Sequence, residues 1–489
     1  MNASVVVNAT SRESESTSSH YRGFPSGEYH SPNYAAEIKD KPSKSQSASR
    51  LAGFLLLANY TWNDIYLADV SVRFDGSSEF GLDQKWAPFW SFGAGVNLHN
   101  YAFLNGSKVI NRMKFRASYG QTGKVNFPSY SARTVYRTFD RWYIAGFGVG
   151  LKALGNRDLK WETTNKLNVG TDMEFWNSRI SLVFDYYYNK TVDLITDVTL
   201  PGSAGFSSYK SNLGETLNKG FDIQFRFDVM KNKDWNVALW GNLNHNRNEI
   251  LKISDALKAY NSQVEDYYGL AEESQIPTLS WTQAGKTYSD FIKPIMKYEE
   301  GASLTAIYGV RSLGIDPSNG KELYLYRNGQ VSHKWKATEE VVLGDSEPKA
   351  SGSFGLNATY KNFSLFASFG YEWGKQTYNE TLIMNVENAD IQGSNVDKRV
   401  LTQRWEKPGD IAPLKDIKDM NSVTLPTSRF VQDENVLSLD ALTLSYDFDP
   451  LWLRKIYLKT LRLEVSTNEL FRLSSIKQER GTSYPFART

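Results

Sequence analysis

The chain is 489 residues long, carries no cysteine and has a formal net charge of +2. The near-neutral balance leaves no electrostatic footprint for nucleic acid, and the lack of thiols excludes disulfide scaffolds and thiolate metal sites. Mean hydropathy is −0.47 and no run of about 18 apolar residues occurs, which excludes a transmembrane helix but not a transmembrane barrel, where alternation dilutes the apolar residues.

In chain order, period-two alternation predicts thirteen strands. The first is residues 2–12, followed by a polar, Ser-rich stretch over 13–49 with no apolar periodicity. Residues 51–62 and 64–74 flank Asn63, and 89–99 and 110–120 follow. After a long segment come 163–176 and 179–195, then 218–230 and 234–250. In 218–230, Phe221, Ile223, Phe225, Phe227 and Val229 oppose Asp222, Gln224, Arg226 and Asp228. About a hundred residues of mixed composition precede the hairpin at 348–376, whose alternation breaks only at Lys361 and Asn362. The last two strands are 436–448 and 459–473. The arms run about 10 residues or more, long for soluble strands but suited to tilted membrane-crossing ones.

Two regularities go beyond strand content. Connections alternate strictly between short and long, the rhythm of outer-membrane barrels with short periplasmic turns and long extracellular loops. Aromatics make up 14% of the chain and crowd the short-turn end: Tyr60, Trp62, Tyr66, Phe175, Trp176, Trp235, Tyr360, Phe363, Trp452 and Tyr457. An interfacial girdle would place them there. The competing reading is a soluble sandwich with core aromatics, whose strands are shorter and whose loops lengthen irregularly at both ends. Lys166, Glu174, Asp222, Arg226, Arg462 and Glu464 all fall on the polar faces. An Arg or Lys turned to lipid at mid-bilayer would cost about 2–4 kcal/mol, so their phase assigns them to a water-filled lumen. Thirteen is odd, and a barrel cannot leave an edge unpaired in hydrocarbon, so at least one further strand is expected beyond these ends.

RFDGSSEFG (73–81), KFRASYGQTG (114–123), NKGFDIQF (218–225), LGIDPSNGK (313–321), VDKRVLTQRWEKPGD (396–410), SRFVQDEN (428–435) and IKQERGTSYPFART (476–489) together resemble the SusC/RagA family of TonB-linked outer-membrane transporters of the Bacteroidetes. The resemblance implies an all-β, antiparallel transmembrane barrel of 22 strands, of which about 13–14 lie here, filled by an N-terminal plug. It also implies a SusD-like lipoprotein lid at the extracellular face and coupling to TonB-ExbB-ExbD through the plug. The start, MNASVVVNATSR, alternates at once and shows no signal-peptide pattern. The expectation is therefore that residues 1–489 are the C-terminal portion of a barrel, without plug or signal peptide and short of the last strand.

No catalytic chemistry stands out. The histidines at 20, 30, 99, 245 and 333 lack ligand spacing, and the turn from Asp316 to Lys321 lacks the acidic series of a calcium loop, so a β-turn explains it better. GFGVG (146–150) lacks strand-to-helix context for a phosphate cradle, and Glu272-Glu273, Glu299-Glu300 and Glu339-Glu340 suit solvated loops better than glycosidase carboxylates. The reading is a non-enzyme without cofactor or metal, in the outer membrane of a Gram-negative bacterium, importing an oligosaccharide or peptide. The alternative is a passive porin-like or surface-binding β-protein. Tyr267, Tyr268, Trp281, Tyr288 and Trp335 are the candidate ligand contacts, since sugar rings stack on aromatics; the alternative is that they pack loops or face the lid.

Overall fold

The structure, a computed structural model, describes the chain except residues 26, 28–30, 41, 81–84, 125–131, 140–147, 154, 157–158, 200–207, 213, 254, 273–280, 284–285, 289–293, 390–395, 417, 419–423 and 477–489. Thirteen strands form one antiparallel sheet, paired in chain order. They are β1 (Asn2–Ser18), β2 (Ser43–Trp62), β3 (Tyr66–Ser77), β4 (Trp86–Asn97) and β5 (Ile110–Lys124). Then come β6 (Glu162–Phe175), β7 (Ile180–Val192), β8 (Glu215–Lys231) and β9 (Trp235–Lys252). The series ends with β10 (Ala350–Tyr360), β11 (Phe363–Tyr378), β12 (Val431–Asp447) and β13 (Arg462–Ser474).

Every alternating segment is a strand, but β1 and β2 run well into the Ser-rich stretch that shows no periodicity. There Glu13 pairs with Ala48 and Ser16 with Ser45, while Lys44 lies 2.7 Å from Glu15. Ladder hydrogen bonds and cross-strand charge pairs hold this part of the ribbon, so apolar alternation is not needed.

The register lines the apolar residues up in rows across the sheet. Val5 lies opposite Leu56, Leu56 opposite Val72, and Val72 opposite Trp90. Further on, Phe227 faces Leu239 and Leu239 faces Leu356. These rows are open: Leu56 is 51% exposed and Trp90 43%. The clusters of buried hydrophobics sit instead among the long connections and the strand ends that meet them. A sandwich would have covered the rows with a second sheet. This single layer leaves them for lipid.

Aromatics close the short-turn end. Trp62 stacks on Tyr66 at 5.5 Å, Trp235 packs on Tyr360 at 4.3 Å and Phe363 on Tyr446 at 4.6 Å. At the other end Phe54 and Phe74 both stack on Trp86. Phe54 and Trp62 are eight residues apart on β2. That is about 26 Å along a strand and about 20 Å along the normal at a 40° tilt, close to an outer-membrane apolar band. The turn after β2 is tight: Asn63 and Asp64 both take positive φ in the three-residue connection between the paired Trp62 and Tyr66, and the Ile65 N–H donates to the Trp62 carbonyl at 3.0 Å.

Among the described residues β1 and β13 each pair on one side only, so the sheet is open. Open edges strand backbone N–H and C=O groups in hydrocarbon. Planar-bilayer recording of the isolated chain should therefore give no stable, uniform conductance, and a single reproducible conductance level would contradict the open edge.

Candidate functional site

Linked polar side chains concentrate on two surfaces: the polar face of the sheet and the cap formed by the long connections. On the polar face Arg116 donates to Asp185 at 2.7 Å and to Asp172 at 3.3 Å, with Arg112 3.8 Å from Asp172 and 3.7 Å from Glu174. Asp222 lies directly opposite Asp185 and accepts from Asn244 at 2.5 Å. Two carboxylates side by side need such cations and amides to offset their repulsion. Nearer the cap, the Tyr187 hydroxyl donates to Asn246 at 2.9 Å, and Asn246 and Asn248 both donate to Glu347. Gly220 permits this closeness, because a Cβ there would lie 2.0 Å from the His245 carbonyl. Toward the short turns Trp240 and Phe366 stack at 6.2 Å beside Gln224, Arg226, Asn242 and Asn357, around a depression of about 480 Å³. The Trp240 indole N–H has no hydrogen-bond partner among the described residues.

The cap has cores of its own. Phe80 stacks on Trp161 at 4.4 Å in one, with Phe89, Ala132, Leu159 and Ile195. Another gathers Val264, Val310, Trp335 and Ala337 beneath α1 (Asp255–Glu272). A third holds Val386, Ala389, Val400 and Leu414. Buried charge ties these parts together. Arg429 donates to Glu322 at 2.9 Å, to Glu387 at 2.8 Å and to the Pro413 carbonyl at 2.9 Å. The fully buried Glu387 needs this partner, since an unpaired charge at such a site costs several kcal/mol. Arg404 donates to the carbonyls of Val386, Glu387 and Lys415. Trp405 donates to the Pro317 carbonyl at 2.9 Å and its ring lies against Gly320, which holds a positive φ of 72°. Asp316 caps its own turn through the Ser318 N–H at 2.8 Å.

The motifs quoted above thus supply joints: Asp316–Gly320, Arg404–Trp405 and Arg429 in the cap, Arg116 and Gly220 in the wall. Periodicity could not have found Arg429 or Glu387, because an ion pair between distant loops leaves no local pattern. The amphipathic spacing of Leu257, Tyr260 and Val264 was the available signal for α1.

Of the five aromatic candidates, Trp335 lies inside a cap core, 4% exposed, its indole donating to the Pro426 carbonyl at 3.0 Å. It shapes the cap rather than presenting a ring to solute. Tyr267 and Tyr268 fall on α1, and Trp281 faces Tyr288 in a short hairpin register. The side chains of these four lie outside the described residues, as do Glu273 and residues 477–489 of the last motif. Of GFGVG, the described Gly148, Val149 and Gly150 belong to a strand and not to a helix start. His99, His245 and His333 each contact a backbone carbonyl, and among the described residues no group of three His, Cys, Asp or Glu is placed to hold a metal.

Glu340, wholly buried in the cap, is a carboxyl displaced into the neutral range. Burial pushes its carboxyl up to about 7, only partly offset by Lys297 at 3.6 Å, while Glu265 works against it. Lys297 gives its hydrogen bond to Glu265, at 2.7 Å. An unfolded carboxyl titrates near 4.5, so between about 4.5 and 7 the folded cap holds the extra proton. Its stabilisation is complete below that window and is lost as pH rises through it. Hydrogen-exchange protection of residues 334–345, corrected for intrinsic rate, should fall between pH 5 and pH 8, and Glu340→Gln should flatten the profile. An unchanged slope in Glu340→Gln would contradict the assignment.

The family model described as "TonB dependent receptor-like, beta-barrel" matches residues 8–389. TonB-dependent receptor P3 of Formosa agariphila is 29% identical over 439 residues, covering 88% of this chain and 42% of that protein. TonB-dependent receptor SusC of Bacteroides thetaiotaomicron is 25% identical over 470 residues, covering 90% and 42%. The chain thus spans about two fifths of the length of these relatives. The structure of the RagAB peptide transporter superposes with a TM-score of 0.78 at 23% identity, covering 97% of this chain and 50% of that one, a likeness of fold.

Proposed function

The chain belongs to the TonB-dependent receptor β-barrel family, proteins of the Gram-negative outer membrane, and from that membership we propose that it is barrel wall and cap of an active importer. The observation that carries the reading is the pairing of an open apolar outer face with an inner face of linked charges and amides, beneath folded connections. In this reading the whole transporter takes an oligosaccharide or peptide under a SusD-like lipoprotein and releases it inward when TonB, driven by ExbB-ExbD, pulls a plug. The chain makes or breaks no bond; its work is binding and conduction.

Residues 1–489 serve as the C-terminal portion of the barrel. The Trp240–Phe366 depression, in the half nearer the short turns, is where a plug would lie against the wall. Tyr267, Tyr268, Trp281 and Tyr288 are the proposed ligand contacts in the cap. Among the similar proteins RagAB is described as a peptide transporter, whereas SusC is named only as a TonB-dependent receptor; the oligosaccharide reading rests on the candidate aromatics.

Uptake of labelled oligosaccharide and peptide pools into cells carrying the complete transporter tests this. Uptake of one pool should vanish on deletion of tonB, and Trp281→Ala with Tyr288→Ala should weaken it several-fold. Uptake that persists without TonB would favour the passive, porin-like alternative.

A further inference from the structure

The turn joining β12 to β13 is unlike the other short connections. Asp449 caps a single helical turn, α2 (Pro450–Arg454), accepting from the Leu451 N–H at 2.8 Å. Leu453 is fully buried, while Leu451 is 70% exposed, Trp452 49% and Tyr457 97%. The turn ends with the Leu458 N–H donating to the Leu453 carbonyl at 3.1 Å, a closure that puts Tyr457 at φ 61°. That position ordinarily belongs to glycine, and a bulky side chain there is strained. A strained, fully exposed tyrosine beside an exposed tryptophan and leucine stabilises nothing within the described chain.

Aromatic contacts lead from the lipid-facing rows onto this turn without a break. Phe363 packs on Tyr446, Tyr446 on Phe448 at 5.0 Å, and Phe448 stacks on Trp452 at 5.9 Å. Basic residues share this end of the sheet. Arg454, Lys455 and Lys459 lie on the turn, with Lys231, Lys233 and Lys361 on the two preceding short turns, all exposed. None of the six forms an ion pair among the described residues. Asp449 is occupied as a cap, and Asp447 is held by Arg462 at 2.6 Å.

We propose that residues 449–459 form an interfacial anchor lying in the periplasmic leaflet, where Trp452 and Tyr457 sit at headgroup level and Arg454, Lys455 and Lys459 bind the phosphates of anionic phospholipid. The inference rests on the barrel reading only for which leaflet the short turns meet. Continuity with the lipid-facing rows and positive charge select a lipid surface over a protein one.

The complete transporter in detergent micelles doped with phosphatidylglycerol or phosphatidylcholine, read by native mass spectrometry, tests it. Phosphatidylglycerol should be retained over phosphatidylcholine by about tenfold, and the triple variant Arg454→Gln, Lys455→Gln, Lys459→Gln should cut that preference by about fivefold or more. Tyr457→Gly should weaken lipid retention while leaving thermal stability equal or higher, because glycine relieves the positive φ; this variant carries the test if the triple variant does not fold. Bromine-labelled phosphatidylglycerol should quench the fluorescence that Trp452→Phe removes. Unchanged lipid preference in the triple variant, absence of that quenching, or protection of the turn by a soluble periplasmic protein instead of lipid would each overturn the proposal. Loss of transport with lipid binding intact would bear on the importer reading alone.

Discussion

A strand crossing hydrocarbon must satisfy every backbone N–H and C=O through its neighbours, and must turn its side chains alternately to lipid and to water. That constraint accounts for most of this chain. It dictates one continuous ladder of thirteen strands, since an interruption would strand polar groups where no water can reach them. It also fixes register, because a slip of one residue would turn Asp222 and Arg226 to lipid and Phe225 to the lumen. The rows Val5–Leu56–Val72–Trp90 and Phe227–Leu239–Leu356 are the visible product of that exclusion.

Outside hydrocarbon the constraint relaxes and other forces take over. Residues 13–18 and 43–50 keep the ladder with serines and charges, held by Lys44–Glu15 and the hydrogen bond from Gln46 to Glu15. The cap then folds as ordinary water-soluble protein does, around small apolar cores joined by buried ions such as Arg429 with Glu322 and Glu387. Removing one partner of such a pair leaves a charge in the interior, so the pair specifies the joint even where it adds little net stability. The same cap, joined by buried ion pairs, holds a carboxyl, Glu340, that burial pushes up to about 7.

The membrane-spanning half was legible in the sequence because its physics is local: residues i and i+2 share a face, and 221–229 announces its own orientation. The strand segments, the short-turn aromatics and the lumenal charges all followed from that. The polar extensions of β1 and β2 did not, since pairing there depends on a partner some thirty residues away. Nor did the site. Trp240 and Phe366 read simply as alternating strand residues, and only the register that brings β8, β9, β10 and β11 together makes a depression of them. Trp335 read as a loop aromatic open to ligand, whereas its burial depends on Pro426 and Val310, distant in sequence.

The account stands most directly on which way β8 turns. The chain has no native cysteine, so single cysteines can be placed at 221 through 229 and spin-labelled without background. In lipid nanodiscs, accessibility to oxygen should peak at 221, 223, 225, 227 and 229, and accessibility to a water-soluble nickel chelate at 222, 224, 226 and 228. Labels shielded from both reagents on the oily face, or an accessibility profile without the two-residue period, would mean that a second protein layer covers these strands and that no lipid-facing wall exists.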